Sequence, residues 1–257
     1  MMKAAALAAA LIASSPTSGA TASSKRTIAV AAAANLRLAI EDLEKGFEAE
    51  NPGTEVTVTL GASGSFFAQL QNGAPFDVFF SADTEYPRKV IEAGLAKKED
   101  ETVYAVGKLV VWAPRSAKVH LKRMGVAAVA DPAVKKLAIA NPAVAPYGRA
   151  AVAALRAAGV YEAVKDRLVL GQNVAQAAQF AQSGAAEAAL IPLSLTLSPE
   201  LKEGKILVVP ADSYPAQEQS AVVLGRAREP ALARAFVRYV TGPEGREILV
   251  QSGYALP

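Results

Sequence analysis

From Thr27 onward, short apolar runs alternate with longer amphipathic segments, and that alternation constrains the fold more than any other feature of the chain. Strand patterns fall at 27–32, 55–60, 78–81, 109–113, 137–140, 188–191, 206–209 and 221–224. Helix patterns fall at 36–49, 65–71, 85–93, 149–158, 161–168, 174–182, 230–241 and 243–251. Strands that take turns with helices predict an α/β protein whose mostly parallel sheets are covered on both faces. The run TIAVAAAA (27–34) has the unbroken apolar character of such a buried strand. A weak internal echo divides the chain further. QLQNGAPFDVFF (69–80) and QFAQSGAAEAAL (179–190) each run from helix through a helix-ending glycine into a buried strand. Any two αβ turns can look alike. Read as duplication, the echo predicts two α/β lobes with a ligand cleft between them, facing the carboxyl ends of strands.

Ahead of this pattern stand Lys3, an Ala/Leu-rich run over 4–13 and the small-residue site Ala20-Thr21-Ala22, the three parts of a cleavable export signal over residues 1–22. The run is too short to span a bilayer, and no later one approaches about 20 apolar residues. Cleavage leaves about 235 of the 257 residues, enough for one large domain or two small ones. The chain has no cysteine, so it carries no thiolate metal site, cysteine nucleophile or lipid-anchored cysteine. Its net charge of +3 comes from scattered basic residues, which argues against nucleic acid as a partner. A free, soluble periplasmic protein is the expectation.

Four turns follow strands or open helices and carry small or hydroxyl residues: Ala33-Ala34-Asn35-Leu36, Gly61-Ala62-Ser63-Gly64-Ser65, Ala145-Pro146-Tyr147-Gly148 and Gly171-Gln172-Asn173-Val174. Small residues let backbone N–H groups approach a ligand closely. Ser63 and Asn35 add side-chain donors, and each helix start adds about half a positive charge. Singly, each turn reads as ordinary capping, with Asn35 an N-cap. Together, two to a lobe, they form a set able to hold a dianion without lysine or arginine.

Other chemistries find less support. A serine hydrolase would use Ser63 as nucleophile, but it needs a base beside the hydroxyl. The chain has one histidine, His120, in a basic loop, and no G-x-S-x-G elbow. Nothing has zinc-ligand spacing, so no free metal cation and no cofactor is expected. Asp77 and Asp83 flank a strand and read as a strand-end cap and a turn residue. Arg37 and Arg149 lie two residues past Asn35 and Tyr147, about 200° around a helix from them. They read as surface residues, with a counter-charge at the cleft mouth as the alternative. Trp112 reads as core or hinge packing.

Four stretches carry a family resemblance: AVAAAANLRLAIEDLEKGFE, VTLGASGSFFAQLQNGAPFDVFFSAD, GKLVVWAP and the C-terminal FVRYVTGPEGREILVQSGYALP. With them the chain resembles, from about Thr27 to Pro257, the periplasmic molybdate-binding proteins of ABC importers, within the type II solute-binding-protein fold. The resemblance implies a non-enzymatic receptor that delivers molybdate, and tungstate with it, to a membrane permease driven by a cytoplasmic ATPase. A monomer is expected. It implies hydrogen-bond capture by Asn35 in the first loop, the Ser63 hydroxyl in the second, and backbone amides at Tyr147 and Val174. Some members add a tyrosine hydroxyl where this chain has Pro192. The C-terminal helix pair is expected to return to the first lobe, giving lobes of 27–106 plus 217–257 and of 107–216. A receptor of the same fold for a sulfate-type oxyanion or a small organic anion is the alternative.

Overall fold

The structure, a computed structural model, describes residues 25–257; the export signal expected over 1–22 lies outside the described residues. The chain runs β1 (Arg26–Ala33), α1 (Arg37–Glu50), β2 (Thr54–Gly61), α2 (Ser63–Gln71), β3 (Val78–Phe80), α3 (Glu85–Glu92), β4 (Ala96–Gly107) and β5 (Leu109–Ala113). It continues through α4 (Leu121–Met124), β6 (Leu137–Ala140), α5 (Pro146–Ala157), α6 (Tyr161–Val164), β7 (Leu168–Gly171), α7 (Val174–Gln182), β8 (Ala188–Pro192) and β9 (Lys205–Val208). It closes with β10 (Gln217–Leu224), α8 (Pro230–Thr241) and α9 (Pro243–Gln251). A 3-10 turn, Ala34–Leu36, joins β1 to α1.

The strands form two five-stranded sheets, ordered β2-β1-β3-β10-β4 and β7-β6-β8-β5-β9. The same pattern is used twice. β2–α2–β3 in one sheet and β7–α7–β8 in the other occupy matching places, and the echo segments 69–80 and 179–190 fall within them. Their glycines, Gly73 and Gly184, end the helices with φ of 87° and 78°, in the left-handed region.

The sheets are mixed where the sequence pattern pointed to mostly parallel ones. β1 pairs in parallel with β2 and β3, and β6 with β7 and β8, whereas every pair made by β5 or β10 is antiparallel. β5 and β10 are the strands by which the chain enters the second sheet and returns to the first. Neither follows a βαβ crossover, so neither is held parallel to its neighbours.

The cores explain the composition. On one face of the first sheet, Ile28, Val30, Val78 and Phe80 pack with α1, α8 and α9 through Leu43, Phe47, Phe236 and Leu249. On its other face, Phe66, Leu70 and Val90 from α2 and α3 cover Ala31, Phe79 and Val222. The second sheet and its helices share one core, which Ala33, Ala34, Ala62 and Ala82 of the first lobe join. The lobes therefore touch through alanines, at the carboxyl ends of the strands.

Candidate functional site

Strand register sets the site. Ala33 of β1 pairs with Gly61 of β2, and Ala140 of β6 with Gly171 of β7, so in each lobe two strands end level with each other. The turns that leave them meet at the lobe interface. They enclose a cavity of about 10 Å3. Its walls include Asn35, Ser63, Tyr147 and Val174, so the structure brings together one residue from each of the four candidate turns.

Three of the four helix starts have no side-chain cap. The N-caps of the Ala34–Leu36 turn, α2 and α5 are Ala33, Ala62 and Ala145, which have no side chain able to accept from the first turn. Pro146 opens α5 without an N–H, so Tyr147 carries the first donor of that helix. Only α7 is capped, by Asn173 Oδ1 accepting from the Gln176 N–H at 3.1 Å. That bond bypasses the N–H of Val174, the first helical residue. Ser63, fully buried, accepts from the Ala82 N–H at 3.0 Å, which leaves its hydroxyl proton free to donate. Among the described residues, no lysine, arginine, aspartate or glutamate lines the cavity. Such a wall attracts an anion through neutral dipoles.

Asn35 departs from the sequence reading. It lies inside the 3-10 turn and caps nothing. Both hydrogens of its Nδ2 are engaged, on Gln219 Oε1 at 2.8 Å and on the Tyr254 hydroxyl at 2.9 Å. Its Oδ1 is buried without a partner. Around it lies a cluster of hydroxyls: Tyr254 and Ser194 both donate to the Asn35 carbonyl, at 2.8 and 2.9 Å. Burial pushes the Tyr104, Tyr147 and Tyr254 hydroxyls above the usual phenol range, so all three remain protonated. The turn after Pro192 supplies Ser194, which reaches Asn35 rather than the cavity.

The remaining residues singled out from sequence lie elsewhere. Arg149 Nη2 donates to Asp83 Oδ2 at 2.6 Å and Glu85 Oε2 at 3.1 Å. Arg37 is exposed and lines a separate groove with Gln172 and Glu200. His120 is exposed in its loop and lines a groove with Lys122 and Lys205, separate from the cavity that Ser63 lines. Asp77 anchors a strand end, its two oxygens each accepting a backbone N–H at 2.7 Å, from Ala29 and Arg228. Trp112 is a core residue whose Nε1 donates to the Leu201 carbonyl at 2.8 Å. Ser63 thus faces no base. Sequence reasoning missed Gln219, Tyr104 and Tyr254, which stand 184, 69 and 219 positions from Asn35 and become its neighbours only through the sheet.

The profile of the bacterial extracellular solute-binding proteins matches residues 28–255. The chain belongs to that family. This solute-binding protein is 38% identical over 234 residues to a molybdate-binding protein ModA of Azotobacter vinelandii, covering 89% of this chain and 90% of the relative. It is 39% identical over 205 residues to the ModA of Rhodobacter capsulatus, covering 80% and 79%. The solved Azotobacter vinelandii periplasmic molybdate-binding protein superposes with a TM-score of 0.82 at 33% identity, covering 90% of this chain and 99% of that one. The two-lobed fold is that of the periplasmic binding proteins, and the chain is a binding protein of a transport system rather than an enzyme.

Proposed function

We propose that this chain captures molybdate, and tungstate with it, in the periplasm and delivers it to the membrane permease of an ABC importer. The observation that carries the reading is the convergence of four helix starts and one buried hydroxyl on a small cavity without a charged side chain. A tetrahedral dianion offers acceptors in every direction and needs donors in every direction. In this reading the Asn35 turn, the Ser63 hydroxyl and the amides of Tyr147 and Val174 supply them. Each such bond is charge-assisted and strong for its length. Sulfate is smaller and leaves donors stretched. Protonated phosphate brings a hydrogen to a site without an acceptor for it. Molybdate and tungstate share charge, shape and nearly the same size, so the site holds both.

The lobes of this reading are 27–106 with 217–257, and 107–216, moving as two bodies about the crossings beside Gly107 and Gln217. Capture closes them, and release to the permease reopens them. The chain acts as a monomer. Calorimetric titration with molybdate, tungstate, sulfate and phosphate tests the assignment. Tight binding of the first two and weak binding of the others is expected; equal affinity for sulfate and molybdate overturns it.

A further inference from the structure

Gln219 lies on β10, fully buried, at a register shift between β10 and β4. Its amide joins residues from both lobes. Oε1 lies 2.8 Å from Asn35 Nδ2 and 2.8 Å from the Tyr104 hydroxyl. Nε2 donates to the Tyr147 hydroxyl of α5 at 3.1 Å. One side chain therefore spans the first and third candidate turns. The space for this contact exists because position 107, where the chain crosses between sheets, is glycine. A Cβ there would collide with the Tyr147 hydroxyl and stand 2.5 Å from Gln219 Nε2.

Counting protons shows a conflict. Tyr104 has one hydroxyl proton, yet its oxygen is within hydrogen-bond distance of two acceptors, Gln219 Oε1 and the Ser81 carbonyl at 2.9 Å. Asn35 Oδ1, a buried side-chain atom without a protein partner, belongs to a residue that lines a cavity suited to an anion. An anion has no hydrogen to give that oxygen. Amide oxygen and nitrogen occupy nearly the same space, so each side chain fits with its ends exchanged. With both amides reversed, Gln219 Nε2 donates to Asn35 Oδ1 and to Tyr104, and Tyr104 donates to the Ser81 carbonyl. Tyr147 donates to Gln219 Oε1. Tyr254, whose one proton then goes to Asn35 Oδ1, gives up the Asn35 carbonyl, which Ser194 continues to serve. Asn35 Nδ2 then replaces Oδ1 as the group free to meet a ligand.

We propose that Gln219 is the positioning residue that decides which end of the Asn35 amide faces the bound anion. A bound oxyanion favours the reversed orientation because it accepts from Nδ2 and repels a bare Oδ1. Because Gln219 also holds Tyr147, the first and third turns respond as one unit across the lobe interface.

The proposal rests on the oxyanion reading above, and its test separates the two. Gln219→Met keeps length and bulk but removes the amide. Calorimetry with molybdate is expected to show about a tenfold weaker Kd for Gln219→Met and a similar loss for Asn35→Ala. The double variant should lose less than the sum of the two single losses, because Gln219 acts in part through Asn35. Wild-type affinity in Gln219→Met, or additive losses, overturns the proposal. Side-chain amide NMR on the unaltered protein gives a second readout that a purely structural role would not move. Molybdate should shift the Asn35 and Gln219 NH2 resonances together, and a shift of one alone overturns the coupling. If the wild-type chain binds no oxyanion, the molybdate reading has failed by itself. The positioning role then stands only if Gln219→Met moves the Asn35 NH2 resonance of the free protein, and an unmoved resonance ends it.

Discussion

Arg149 Nη2 stands 2.6 Å from Asp83 Oδ2, joining the first turns of α5 in one lobe to the turn after β3 in the other. Glu85 accepts a second bond from the same nitrogen at 3.1 Å, and the guanidinium lies 5.4 Å from the centre of the Tyr86 ring. Burial raises the Asp83 carboxyl above its ordinary range, and its bonds with the Tyr86 N–H, Ser81 and Arg149 offset only part of that. The pair is a clasp across the lobe interface. It commits the arginine charge to carboxylates.

Breaking the clasp from either side is expected to have the same sign. Arg149→Ala and Asp83→Asn should each weaken molybdate binding a few-fold and speed release, because a partly exposed ion pair contributes about 1 kcal/mol or less. Stopped-flow release measurements check this. If Arg149 instead served the anion, Asp83→Asn would free it and tighten binding.

Ser63→Ala should weaken binding about tenfold to a hundredfold, since a hydrogen bond to a charged group is worth about 1.5–3 kcal/mol. The change also strips the Ala82 N–H of its acceptor. Ser65→Ala, at a half-buried position one step further into α2 than Gly64, should leave the Kd close to wild type. Titrating both variants side by side decides the matter.

Gly64→Ala should obstruct closure. The Gly64 N–H donates to the Val144 carbonyl of the opposite lobe at 2.8 Å. A Cβ on Gly64 would meet the Tyr86 hydroxyl and lie 2.9 Å from Val144 Cα. Backbone cannot yield as a side-chain tip can, so the lobes should stand apart. Affinity is expected to fall tenfold or more, with the ligand-free melting temperature little changed. Small-angle scattering should then show no contraction on adding molybdate.

Much of this was legible in the chain. The apolar strands β5 and β6 and the amphipathic helices α7, α8 and α9 fall where periodicity put them. β4 was not legible, because AKKEDETVYAVG carries its charges on an edge strand and shows little apolar alternation before Val103. β7 was hidden by its four-residue length and by Leu170, 49% exposed, which reads as the tail of the preceding helix. α2 and α5 begin earlier than their patterns because Ser63-Gly64 and Pro146-Tyr147-Gly148 read as loop. Those small residues in fact open helices where the lobes approach. The four turns could be found from local spacing. The Gln219 hub could not, since a polar residue ahead of an apolar strand looks like a loop until its partners are folded beside it.

Glu44 predicts a pH dependence of stability unrelated to the ligand. Burial, followed by repulsion from Glu48 and Glu41, raises its carboxyl from 4.5 to about 7. A folded value above the unfolded one means that the folded chain binds the extra proton. The contribution is complete below the unfolded value and is lost as pH rises through about 7. Glu44→Gln should therefore melt higher than wild type at about pH 8 and close to it at about pH 4. Thermal melts across that range check the sign; a variant less stable at the alkaline end would contradict it.

The first sheet takes four strands from the early chain and its fifth, β10, from beyond the whole of the second sheet. During synthesis, β1, β2 and β3 are complete long before β10 exists, and three-residue β3 has only β1 to hold it. The second sheet, Leu109 to Val208, has no such gap and can assemble as soon as it emerges. Contacts of long sequence separation form slowly, and unpaired strand edges are exposed meanwhile. The lobe that begins the chain is thus the last to be finished, and until β10 emerges only the second sheet has all its strands.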